Sequence, residues 1–140
     1  SKESAWRNVG TAYEVKKTKT HITTLAYAHK GNDLFIKLAL KNRLDKDLGI
    51  SIFLLGYRKD SEFSKMPKLN INIGLNSLIV KDKKQRIDAG KVQLIEEGNN
   101  LILKVPLSLL NDPVYILACA KAGTIVLPFE DTAWRILKVE

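Results

Sequence analysis

From Asp33 to Leu40 the chain reads DLFIKLAL, and every second residue is aliphatic. Leu34, Ile36, Leu38 and Leu40 share one face, while Phe35, Lys37, Ala39 and Lys41 take the other. A period of two marks an extended strand with one face buried. The alternation recurs in NLILKV (100–105) and in KLNINIGLN (68–76), where Leu69, Ile71, Ile73 and Leu75 oppose Asn70, Asn72, Gly74 and Asn76. GISIFLLGY (49–57) is apolar on both faces and predicts a central strand, paired with the asparagine-bearing one that follows it. TAYEV, HITTLAYAHK, SLIV, KVQLIEE, PVYILACA, TIVL and TAWRILKV are further strand segments. EGNN marks a hairpin, and the charged KDKKQRIDAG (81–90) is predicted as a turn between SLIV and KVQLIEE. Helical character is confined to PLSLLND (106–112), a single short turn opened by proline. About eight to ten evenly spaced strands predict an all-β antiparallel β-sandwich, jelly-roll or immunoglobulin-like. No internal repeat divides it, so residues 1–140 form one domain, with 1–10 as a frayed N-terminal segment.

Composition adds exclusions rather than a function. A chain of 140 residues with 45% hydrophobic and 27% charged residues supports a real core and is no candidate for wholesale disorder. No apolar run reaches the roughly 18 residues of a membrane-spanning helix. The net charge of +8 invites a nucleic-acid partner. Its lysines are scattered, however, with local clusters only in VKKTKTH (15–21) and VKDKKQR (80–86), and no helix-turn-helix, zinc or RNP-type pattern accompanies them. A basic solvated surface is the expectation. Cys119, the one cysteine, lies in YILACA and is expected to be a small buried hydrophobe. The chain starts Ser-Lys without Met, which suggests a removed leader or an excised domain, and an extracellular, periplasmic or surface-anchored setting.

Three segments carry a family resemblance: LAYAHKGNDLFIKLAL (25–40), GNNLILKVPLSLLNDP (98–113) and the closing EDTAWRILKV. In order and spacing, over about a third of the chain, they resemble the carbohydrate-binding module family 9-like and DOMON-like β-sandwich domains. That resemblance implies a jelly-roll-like sandwich that binds a sugar or haem, or serves as a non-catalytic module of a larger secreted protein. Sugar-binding members clamp a terminal sugar between two tryptophans. Here the tryptophans are Trp6 and Trp134, and Trp134 shares a strand face with Ile136 and Lys138, which suits a core position.

The candidate chemistry follows from both lines. A pyranose offers CH faces and a rim of hydroxyls, so it needs a flat apolar platform beside planar amides. Asn70, Asn72, Asn76, Tyr57, Arg58 and Trp6 are the candidate ligand-binding residues. The same amides would serve equally as a wet outer face. In the alternative reading, haem would take Met66 with His29, His21 or a lysine as axial ligands. Asp33, Asp45 and Asp47 are candidates for a structural calcium, and equally plain turn formers. No residue set satisfies a nucleophile-base arrangement, and adjacent acids such as Glu96 and Glu97 point to opposite strand faces. The expected function is therefore a non-enzymatic module that binds a polysaccharide or glycan. The alternatives are a haem-binding electron-transfer domain and a structural or protein-interaction module without a small ligand.

Overall fold

The period-two pattern becomes two packed antiparallel sheets in the computed structural model, which describes residues 6–11, 22–46, 49–122, 125–127 and 135–139. Strands are numbered in chain order. The first sheet runs β1 (Arg7–Thr11), β2 (Ile22–Lys30), β3 (Asp33–Leu40), β9 (Asn100–Pro106), β8 (Gln93–Glu97). The second runs β11 (Ile125–Leu127), β10 (Tyr115–Ala122), β4 (Ile50–Tyr57), β5 (Lys68–Gly74), β6 (Ser77–Asp82), β7 (Gln85–Ile87), with β12 (Arg135–Lys138) beside β11 on the same edge of β10. The protein is thus an all-β sandwich. Among the described residues its helical pieces are short 3-10 turns, and no helix is long and apolar enough to cross a membrane.

The core is built from the aliphatic face of each strand. Leu34, Ile36 and Leu38 of β3 lie across from Val105, Leu103 and Leu101 of β9. Ile50, Ile52 and Leu54 of β4 lie across from Ile73, Ile71 and Leu69 of β5. Each such side chain stabilises the fold by roughly 1.5–3 kcal/mol on burial. Across the sandwich β10 approaches β2, and β10 turns Ala118, Ala120 and Ala122 inward. Small side chains permit that approach.

Several expectations change. Twelve strands are found among the described residues, more than eight to ten: Arg7–Thr11 pairs with β2 where a frayed segment was expected, and the charged segment 81–90 is not a bare turn. It holds β7, which pairs back on β6 through Asp82 and Gln85, and a 3-10 turn at Ala89–Lys91. SLIV and KVQLIEE accordingly enter different sheets. β5 ends at Gly74, so Leu75 is 48% exposed in the following turn instead of in the core. Trp134 and most of TAYEV lie outside the described residues. In β12 it is Leu137 that is fully buried and Lys138 that is exposed.

The PLSLLND turn is a 3-10 turn, Leu107–Leu110, that drives Leu107 and Leu110 into the core and ends on Asn111 in the left-handed region. It abuts β4 at Gly56, where any Cβ would collide with the Leu110 carbonyl oxygen. That contact fixes the end of β4, the strand that also floors the site described next.

Candidate functional site

The register of the second sheet lays its outer-facing residues in rows. Phe53 of β4 lies opposite Asn70 of β5, which lies opposite Lys81 of β6; on the other side of Phe53 stands Cys119 of β10. The next row along the strands reads Lys121, Ser51, Asn72, Ile79. A third places Leu117 and Leu55 beside Lys68. Neighbouring strands are about 4.8 Å apart, so each row is a ladder of side chains in reach of one another.

Above the first and third rows opens a groove of about 840 Å³. Phe53 and Leu55 form its floor with Asn70, and Phe63, Lys68, Lys81, Lys83 and Lys84 stand around it. Among the described residues, no carboxylate lines it. The nearby acid, Asp82, accepts the backbone N–H of Lys68 at 2.9 Å and lies 3.5 Å from the Lys83 ammonium. Lys68 is pinned: its ammonium donates to the carbonyls of Phe63 and Met66 and lies 4.5 Å from the Phe63 ring centroid. Among the described residues, Lys81 and Lys84 have no acid partner. One polar atom stands out. Asn70 Oδ1 is buried and accepts no hydrogen bond, the single such side-chain atom among the described residues. Leaving a buried acceptor unmade costs about 1–3 kcal/mol, and the Asn70 side chain is part of the groove lining.

The lip of the groove is a two-residue hairpin loop between Asp82 and Gln85. Lys83 has φ 48° and Lys84 φ 72°, so both central residues are left-handed, the requirement of a type I′ turn. Asparagine and glycine normally fill such positions. Two lysines there carry backbone strain, and they place two ammonium groups over one end of the groove.

The structure divides the predicted ligand residues. Asn70 and Asn72 do share the outer face. Asn72 is already engaged, its Oδ1 accepting the Ser51 hydroxyl at 2.7 Å. Asn76 leaves the row; at φ 63° it closes the β5–β6 turn, a conformation asparagine tolerates. Tyr57 lies on the same face but at the strand end, its ring 6.4 Å from that of Tyr115. Arg58 is a structural clip: it forks onto Asp60 at 2.9 and 3.0 Å and donates to the carbonyls of Asn111 and Asp112. The Arg58 hydrogen bond holds the Asp60 carboxyl below its ordinary range. Trp6 belongs to the opposite sheet, edge-on to Phe35 with ring centroids 6.5 Å apart and with the Lys37 ammonium 5.5 Å from its centroid. It does not join the asparagine face.

For haem, Met66 is only 3% exposed, packed ahead of β5, and His29 is half-buried on β2 of the other sheet; His21 lies outside the described residues. For calcium, Asp33 opens β3 beside Lys104, at 3.8 Å, and Asp45 follows the far end of that strand, while Asp47 lies outside the described residues. No cluster of three or more His, Cys, Asp or Glu suited to a metal occurs among the described residues. Cys119 is buried, which pushes its thiol up to about 11 and keeps it protonated at neutral pH.

The ligand residues expected from sequence left out Phe53, Leu55 and the four groove lysines. The alternation of GISIFLLGY already put Phe53 and Leu55 on one face with Tyr57, and VKDKKQR was visible as a basic cluster. What joins them is the β4–β5–β6 register, which no single segment encodes. Set against protein-family models, curated proteins and solved structures, the chain matches none.

Proposed function

We propose that the protein is a non-catalytic binding module that takes a glycan in the groove on the outer face of β4, β5 and β6. The observation that carries this reading is Asn70 Oδ1, a buried acceptor with no donor, beside the half-buried ring of Phe53. A sugar suits both groups at once, with a hydroxyl for the amide and a CH face for the ring. The groove size is in the range of pockets that enclose small organic ligands, roughly 300–1,000 Å³. The resemblance to family 9-like sandwiches points the same way, although Phe53 on a strand would replace a tryptophan clamp on loops. A protonated Cys119 supplies no nucleophile, in keeping with binding without catalysis. The haem alternative has no comparable unmet group in its favour.

Affinity electrophoresis through gels containing soluble polysaccharides tests the reading. Retardation is expected, and Asn70→Ala and Phe53→Ala should each weaken it at least fivefold while circular dichroism stays that of a β-protein. Absence of retardation by every polysaccharide, or retardation that both variants leave intact, would reject it.

A further inference from the structure

Resting on that reading and deepening it, we infer that the ligand is an acidic glycan, one carrying carboxylate, sulfate or phosphate groups, and that Lys81, Lys83 and Lys84 select it by charge. Three features meet in one groove. The Phe53–Leu55 floor offers an apolar face, the Asn70 amide offers hydrogen bonds, and the lysine rim attracts anions. A fatty acid supplies the first and third but lacks a donor in reach of the floor. A neutral sugar supplies the first and second and would leave the Lys81 and Lys84 ammonium groups with no acid partner among the described residues. An acidic sugar supplies all three within one monosaccharide unit.

Charge complementarity is one-sided here. Lys68, Lys81, Lys83 and Lys84 line the groove, and its neighbouring carboxylate is already held by the Lys68 backbone N–H and lies near Lys83. Like charges gathered in one site repel each other, and a bound anion relieves that. The strained Lys83–Lys84 turn points in the same direction, since strain of this kind clusters at ligand clamps. Nucleic acid is also anionic and hydroxylated. Its recognition, however, favours arginine forks and successive aromatic platforms. The groove holds no arginine, and one of its two rings already has the Lys68 ammonium close by.

The test pairs polymers that differ in charge alone: dextran sulfate against dextran, and polygalacturonate against its methyl ester. Poly-L-glutamate and poly(U) serve as anionic polymers of other classes, and affinities are read at low and moderate salt. At least one acidic glycan should bind tenfold or more tighter than its neutral counterpart, and added salt should weaken it. Lys83→Gln/Lys84→Gln should lose about tenfold for that glycan. Lys81→Gln, on a strand and away from the turn, should lose severalfold and guards against a misfolded hairpin. Equal binding of charged and neutral forms, or full affinity in both lysine variants, overturns the acidic assignment and leaves the glycan reading standing. Failure of all four glycans to bind overturns the glycan reading itself. Equal or tighter binding of poly-L-glutamate or poly(U) overturns both, since charge alone would then explain capture.

Discussion

The outer faces of the two sheets are made from similar residues and end in opposite states. On the first sheet, Trp6, Phe35 and Lys37 satisfy one another through an edge-on ring contact and a cation over a ring, and Lys104 faces Asp33. On the second, a ring, an amide and a set of lysines again lie side by side, yet among the described residues the amide acceptor is unmatched and Lys81 and Lys84 lack acid partners. A face whose groups complete each other is a surface. A concave face that keeps a buried acceptor unmatched beside a one-sided set of lysines is the better candidate for a site.

The largest expected effect concerns how dry the second face is next to Phe53. Cys119 sits there, and its folded value of about 11 against an ordinary 9.0 lowers the thiolate fraction by about a hundredfold. Iodoacetamide at pH 8 should therefore alkylate the native protein about two orders of magnitude more slowly than the urea-unfolded chain. Comparable rates would mean that this row is open to water. The sign for stability follows: a raised folded value stabilises below pH 9 and that contribution is lost as pH rises through 11. Urea midpoints should fall over that window.

Next comes Asn70→Leu. An apolar side chain of similar size removes the unmatched acceptor, so stability should rise by about 1 kcal/mol while glycan retardation disappears. A destabilised variant would indicate that Asn70 has a structural partner. The comparison predicts the reverse on the first sheet. Trp6→Ala should lower stability by about 1 kcal/mol through the lost ring and cation contacts and leave ligand affinity unchanged. Lost affinity in that variant would put Trp6 in the site and break the contrast between the faces.

The sandwich was legible because alternation is a local signal. Leu34, Ile36 and Leu38 declare a buried face without help from the rest of the chain. The site was only half legible. The amide row could be read from KLNINIGLN, and Phe53 could be placed on a face, but which lysines stand over them depends on pairing between β5 and β6. The β6–β7 hairpin that carries two of those lysines was hidden as well, since Lys83 and Lys84 have none of the glycine or asparagine chemistry that announces a type I′ turn. Arg58 misled for a related reason: a basic residue beside a tyrosine suits ligand contact, whereas its partners, Asp60 and the carbonyls of Asn111 and Asp112, lie partly on a distant turn.

That hairpin also marks where two kinds of selection experiment on this protein would part company. A library at positions 83 and 84 sorted for thermal resistance should converge on Asn-Gly, which fits the backbone without left-handed strain. A library sorted for capture of an anionic polymer should keep the lysines. The two residues are therefore a small meter: whichever pair a population settles on reports whether it has been kept for endurance or for grip.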